Sequence, residues 1–376
     1  MAVYVESGSI VSALGFSVEE VFTRVWQGQS GLACDVEGPY SAEPVMLSKV
    51  DANRLEEATE KVAPAFVGSR FEKMLLVALQ QALQNSAVRL SDPATLLIFS
   101  STKGNIDLLD ASDPASLELN LWHSARLVAN HFNAANAPLI ISNACISGVA
   151  AMVAAQRMLL SGAYRHAVVV GADVLSRFIV SGFQSFKSLS PERCRPFDAR
   201  RDGLNLGEAA AAMVLSVDKP KGQKEGICLL GGAMHNDANH ISGPSRTGEG
   251  LLAAIRNTVG LETVDFISAH GTATPYNDNM EAVAISRAGL AHVPVNSLKS
   301  FFGHTLGAAG LIESMVSLEA LKRNVVVGTL GYEQHGVSEA INVAAVNFER
   351  PLQTVLKLAS GFGGSNAAVL FKKESL

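Results

Sequence analysis

Cys145, His270 and His304 are the residues here whose types and settings could do covalent chemistry. Cys145 follows an apolar, strand-like run, Ala137–Ser142, and precedes a small-residue, helix-like run, Ser147–Leu160. A thiol at such a junction meets unpaired backbone N–H groups and the positive end of a helix dipole, and both favour thiolate over thiol. The alternative, open at this point, is a small buried hydrophobe, as most free cysteines are. His270 directly follows the apolar stretch Val264–Ala269 and is followed by Gly271, Thr272, Ala273 and Thr274. His304 stands in Gly303-His304-Thr305-Leu306-Gly307-Ala308-Ala309-Gly310, with Lys299 five residues before it and Glu313 nine after. Glycine-flanked histidines at strand ends are where ligand-facing loops lie. Singly, each is more often structural; a thiol and two imidazoles together make a nucleophile with proton-handling partners.

Elements able to position these groups are legible around them. The sequence predicts strands at Thr95–Ser100, Leu139–Ser142, His166–Val170, Ala210–Val217, Val264–Ala269, Val293–Asn296, Val355–Ala359 and Ala367–Phe371. Helices are expected at Phe71–Gln84, Leu119–Phe132, Ile146–Leu160, Gly248–Thr258, Met280–Ala288 and Leu306–Leu321. This alternation argues for an α/β protein with covered sheets. A faint repeat is visible: strand, sharp turn and small-residue helix at Leu139–Leu160, and again from Val293 to Leu321. Each half closes on a glycine-rich turn entering an Ala/Val strand, at Gly207–Leu215 and Gly361–Leu370. Two similar halves, residues 1–222 and 223–376, follow, dividing near the polar stretch Asp218–Gly226. Duplication would set the two strand–turn–helix corners opposite each other, around one shared site.

Bulk composition excludes several classes. The 376 residues are 48% hydrophobic and 17% charged, with a net charge of −5 and no basic run, which argues against nucleic acid as a partner. Low charge content suggests surface covered by a second subunit. Cys34, Cys145, Cys194 and Cys228 form no CxxC pair, so neither a disulfide framework nor a zinc site is expected, and a reducing cytoplasm is the natural compartment. No apolar run approaches the roughly 18 residues of a membrane span. The first residues lack the pattern of a signal peptide.

Taken together and in order, Cys145, His270-Gly271-Thr272-Ala273-Thr274, Lys299-Ser300-Phe301-Phe302-Gly303-His304 with Gly307–Gly310, and Gly361–Asn366 resemble the β-ketoacyl-acyl-carrier-protein synthases, condensing enzymes of the thiolase superfamily. Arg195–Asp198 and Arg201–Gly203 extend the resemblance. Two histidines rather than a histidine and an asparagine place it with the elongating branch. The resemblance implies a thiolase-like fold, two duplicated halves in a five-layer αβαβα arrangement, usually dimeric. It also implies a decarboxylative Claisen condensation on substrates carried by the phosphopantetheine of acyl carrier protein, with no permanently bound cofactor and no metal.

By that resemblance Cys145 carries the acyl chain, and its backbone N–H and that of Phe362 form the oxyanion site. His270 and His304 donate to the enolate. Lys299 and Glu313 form a buried ion pair that positions the histidine loop, a solvated surface pair being the plain alternative. Thr272 and Thr274 bind the phosphopantetheine arm, or simply cap the following helix. Phe362 guards the acyl tunnel. Arg70 and Lys73, at i and i+3 of one helix, match a basic stretch that docks the acidic carrier, and an ordinary solvated face is the alternative. The chain departs from the family pattern at Asn277, Ala209 and Ser360. The product class is open between fatty acids and type II polyketides or aryl polyenes. The rival reading is a non-catalytic chain-length-factor-like subunit paired with an active synthase. The assembly expected is a homodimer, or a heterodimer with a related subunit.

Overall fold

The computed structural model describes residues 2–36, 38–109, 116–220, 225–241 and 243–375. Ten strands form one sheet: β1 (Tyr4–Ser12), β2 (Thr95–Ser100), β3 (Leu139–Ile141), β4 (His166–Asp173), β5 (Ala209–Ser216), β6 (Glu225–Asn236), β7 (Ile267–Ser268), β8 (Val295–Asn296), β9 (Thr354–Gly361) and β10 (Ser365–Ser375). Their spatial order is β8-β7-β9-β10-β6-β1-β5-β4-β2-β3. Outward from the centre, β1-β5-β4-β2-β3 and β6-β10-β9-β7-β8 have the same pairing sense, two antiparallel pairs followed by two parallel ones. The repeat read from two corners therefore extends to the strand plan of both sides. The two sets pair at Tyr4↔Cys228 and Val5↔Ile227. The expected division between residues 222 and 223 lies outside the described residues.

Six helices matter for the site: α1 (Arg70–Gln84), α2 (Leu121–His131), α3 (Ser147–Leu160), α4 (Glu249–Val259), α5 (Pro275–Arg287) and α6 (Ala309–Arg323). Alternate strand residues feed different cores. Val168, Val170, Ala210 and Ala212 pack with α1 and α2, while Val169, Ala209 and Ala211 pack with α3 and α6. In the second set, Leu356 and Leu358 face α4 and α5, whereas Val355 and Ala359 face the middle layer. Three cores between helix and strand layers make the five-layer αβαβα arrangement, and sheets covered on both faces read as near-continuous apolar runs. The α3 and α6 helices are buried on almost every side, so neither shows the single apolar stripe of a surface helix. They meet through glycine: a Cβ on Gly148 would lie 2.9 Å from Gly307 O, and one on Gly310 2.9 Å from Val149 N.

The sequence-predicted elements match in place, with shifted ends. The strand expected over Val264–Ala269 is only Ile267–Ser268, and the helix expected from Met280 begins at Pro275. Proline at the first helical turn has no N–H to lose there. The long strand β6 begins inside the stretch read as a polar divider. Its Gly231 and Gly232 hide its character, because a Cβ at either would crowd Thr258 O (2.9 Å) or Val153 (2.7 Å) of the covering helices. Among the described residues no helix is long and apolar enough to cross a membrane.

Candidate active site

Cys145 sits at the turn between β3 and α3, two residues before the helix begins. Ala144 carries a left-handed φ of 44°, which bends the chain sharply. Ser147 pins the turn: its Oγ accepts from Asn143 N–H at 2.8 Å and donates to Ala144 O at 2.6 Å. The turn after β9 presses against it from the other half. A Cβ on Gly361 would lie 3.0 Å from Cys145 N, and Phe362 N–H donates to the sulfur. Ser365 Oγ donates to Asn143 Oδ1 at 3.0 Å, tying the turns together. The helix start that favours thiolate is outweighed here. Burial pushes the Cys145 thiol up to about 11, and Asp173 adds to this, outweighing the opposing pull of Lys299 and of Phe362 N–H. The helix terminus is present, but the sulfur is too enclosed for it to prevail.

His270 lies just beyond β7, and its loop is caught by carboxylates of α5. Glu281 accepts from His270 N–H at 2.6 Å and from Gly271 N–H at 2.7 Å. Asp278 accepts from Thr272 N–H at 2.9 Å and from Phe197 N–H at 2.8 Å. Burial pushes the Glu281 carboxyl up to about 7 against the lowering by these N–H donors. His304 follows the short helix Lys299–Phe302 and Gly303, where φ is 66° and a Cβ would lie 2.5 Å from Leu206 O. Its N–H donates to Asn205 O at 2.7 Å.

The three sequence-predicted groups converge. Potential ligand atoms of Cys145, His270 and His304 all lie within 4.8 Å of one another, and the two rings stand edge to face at 5.2 Å. Both imidazoles are held well below the ordinary histidine range, chiefly by burial and then by Lys299 and Lys357, with His304 adding to the effect on His270. Among the described residues the Nδ1 of each ring has no hydrogen-bond partner. Protonating either ring would bury an unpaired N–H, so neutral rings carrying hydrogen on Nε2 are the least costly state. The trio could offer three ligands to a metal, yet two neighbouring ammonium groups give the site a positive field, the wrong sign for a dication.

Lys299 and Glu313 form a fully buried ion pair. A second lysine shares that carboxylate: Lys357 Nζ lies 2.5 Å from the other Glu313 oxygen. Sequence reasoning missed Lys357, though a charge inside the apolar strand run Val355–Ala359 was a signal, because a buried ammonium demands a partner. It also missed Glu281, Asp278 as an acceptor, and Asp173, which accepts from Gly307 N–H at 2.7 Å and from Ser101 Oγ at 2.9 Å.

A cavity of about 470 Å³ opens over the trio, lined also by Thr272, Thr274, Phe183, Phe186 and Phe362. Thr274 occupies the cap position of α5 but makes no side-chain cap bond; instead its Oγ1 lies 2.8 Å from that of Thr272. Phe362 stacks on Phe183 at 5.7 Å and meets Phe186 edge-on at 5.4 Å. Of the departures, Ser360 donates to Asn366 Oδ1 at 2.8 Å, Asn277 donates to Asp278 at 3.3 Å, and Ala209 is buried in β5. Both members of the expected basic docking pair have acidic partners within the chain. The Arg70 guanidinium is committed to buried Glu208 and to Val50 O, and Lys73 Nζ is paired with Glu56 at 2.7 Å. Their i, i+3 spacing gave no view of the acids opposite them.

Comparison with known families agrees with this geometry. The family described as beta-ketoacyl synthase, N-terminal domain, matches residues 17–220, and the corresponding C-terminal domain matches residues 227–333. The chain belongs to the β-ketoacyl synthases. This β-ketoacyl synthase is 33% identical to 3-oxoacyl-[acyl-carrier-protein] synthase 2 of Rhizobium meliloti (strain 1021), over 62% of the chain and 60% of that protein. It is 29% identical to the synthase of the same name from Vibrio harveyi, over 99% of the chain and 98% of that protein. A solved ketosynthase in complex with its chain length factor, from Xenorhabdus doucetiae, is 27% identical with a TM-score of 0.83, covering 99% of this chain and 98% of that one. The five-layer arrangement is thus the thiolase-like fold of condensing enzymes.

Proposed function

We propose that this β-ketoacyl synthase joins an acyl chain held on Cys145 to a malonyl group carried by acyl carrier protein, by decarboxylative Claisen condensation. The convergence of the sulfur with two neutral imidazoles in one cavity carries this reading. In the first step the sulfur attacks the carrier thioester, and the departing phosphopantetheine thiol takes up the proton that Cys145 gives. Because the resting thiol is held high, that proton needs a neighbouring acceptor during attack, and a neutral imidazole supplies one. The oxyanion is received by Cys145 N–H and Phe362 N–H, which the packing of Gly361 brings together.

In the second step the malonyl C–C bond breaks and CO2 leaves. Neutral His270 and His304 donate to the enolate oxygen, stabilising it without the net charge that would quench it as an acid. The enolate carbon attacks the Cys145 thioester, sulfur departs as thiolate and takes up a proton from solvent to regenerate the resting thiol, and a 3-oxoacyl chain remains on the carrier. Thr272 and Thr274 hold the phosphopantetheine arm, and Phe362 with Phe183 and Phe186 gates the acyl path. Substrates arrive on carrier protein, so no resident cofactor is needed. The product serves fatty-acid, polyketide or aryl polyene assembly in a reducing cytoplasm. The apolar edge strand β3 supplies a pairing edge for a second copy or a related subunit.

The test is intact mass after incubation with a panel of acylated carrier proteins. An acyl adduct absent from Cys145→Ala, followed by malonyl-dependent extension, is expected. Absence of any adduct on the wild-type chain would favour the non-catalytic partner subunit.

A further inference from the structure

Lys357 is a buried charge that the reaction above does not use. It stands on the middle-layer side of β9, fully enclosed, between the two histidine loops. Its Nζ donates to Ser268 O at 3.2 Å and to Ala269 O at 2.9 Å, the two carbonyls immediately before His270. The next two backbone groups, the N–H of His270 and of Gly271, are held by Glu281. Four consecutive residues of that loop are therefore gripped by one lysine and one glutamate. On its other side the same ammonium meets Glu313, whose remaining oxygen holds Lys299, five residues before His304. Lys357 thus donates to the backbone leading into His270 and lies in charge contact with the ion pair beneath His304.

A lysine at such a position is costly, since desolvating an ammonium must be offset by several well-placed acceptors. Two carbonyls and a shared carboxylate provide them. From this arrangement we propose that Lys357 is a positioning residue for the decarboxylation step, locking the two imidazoles into one mutual geometry and holding the field around them positive. The inference rests on the condensation reading above. The charged and titratable groups facing the two rings are Cys145 from the turn before α3, Lys299 from the short helix, Glu281 and Asp278 from α5, Glu313 from α6 and Lys357 from β9. Among these, Lys299 and then Lys357 hold both rings toward the neutral form. Removing Lys357 raises both histidine pKa values, so the neutral pair is lost at a higher pH as the medium is acidified.

The experiment compares wild type, Lys357→Met and Lys357→Arg in three assays: acyl loading of Cys145 by intact mass, malonyl decarboxylation from pH 5 to 9, and thermal melting. Lys357→Met is expected to load normally and to lose decarboxylation roughly 10- to 100-fold, the scale of a small misplacement of catalytic groups. Its acid limb should move to higher pH. Lys357→Arg should keep the wild-type acid limb and recover part of the rate. A folded Lys357→Met with the wild-type acid limb overturns the proposal even if slow, because a merely structural lysine changes rate and melting alone. If Lys357→Met does not fold, Lys357→Gln replaces it. An arginine variant whose acid limb also moves overturns the proposal independently. Failure of the condensation reading is distinguishable, since wild type itself would then neither load nor decarboxylate.

Discussion

The cysteine corner and the histidine corner occupy equivalent places in the two strand sets, and they are built from different materials. In the first half β3 passes to α3 through a tight turn, held by Ser147 and by the positive φ of Ala144. In the second, β8 passes to α6 through the short helix Lys299–Phe302, Gly303 and a 3-10 turn at Leu306–Ala308, with His304 between them. Around the cysteine the scaffold is mainly backbone, with Asp173 the buried carboxylate nearby. Around the histidines it is charge: Lys299, Lys357, Glu313, Glu281 and Asp278 are all buried. The difference matches the roles proposed for each corner. A nucleophile needs an aimed sulfur and two N–H groups, which a turn provides. Paired donors to an enolate need a fixed orientation and a fixed protonation state, which require surrounding charges.

That contrast can be broken from either side. Cys145→Ala should abolish loading and lower condensation by at least about 10³-fold, as removal of a nucleophile does. Each single variant, His270→Ala or His304→Ala, leaves the other imidazole to take the Cys145 proton and should still load an acyl chain, as read by intact mass, while condensation falls on the order of 10²- to 10³-fold. A histidine variant that cannot load would merge the two corners into one function.

Glu313→Ala leaves two buried lysines without their shared carboxylate. Breaking a buried pair this way costs about 3–5 kcal/mol, to be read from urea unfolding. Cys145→Ala should change that midpoint little, so equal losses would contradict the contrast.

The sulfur's state gives a pH test. With the thiol at about 11, its alkylation by iodoacetamide should rise roughly tenfold per pH unit from 7 to 10. A plateau near pH 8 would mean that the helix terminus does outweigh burial. The smallest effect belongs to the threonines proposed to hold the phosphopantetheine arm. Thr272→Val or Thr274→Val should raise KM for the carrier substrate about fivefold with kcat nearly unchanged, the worth of one hydrogen bond.

The sequence showed the candidate trio because its members sit in locally distinctive runs at strand ends, and both the fold class and the pairing of corners followed. What it hid was set by distant chain. Whether Cys145 rests as thiol or thiolate depends on enclosure by the Gly361–Phe362 turn, more than 200 residues away. Arg70 and Lys73 look free until Glu208 and Glu56 come opposite them. Lys357 lay in plain view inside an apolar strand, but its meaning required Glu313 of α6 and the carbonyls before His270. Local patterning reports elements, whereas charge state is a property of assembled surroundings.

The seam between α3 and α6 has a consequence for the gap across which sulfur and imidazole must cooperate. Cys145 leads into one helix and His304 into the other, so their spacing is a machined dimension set by how closely Gly148 and Gly310 let the backbones approach. A single added methyl at Gly148 would act as a shim. Every atom of the cavity lining could be left untouched, and the two reacting partners would still stand too far apart.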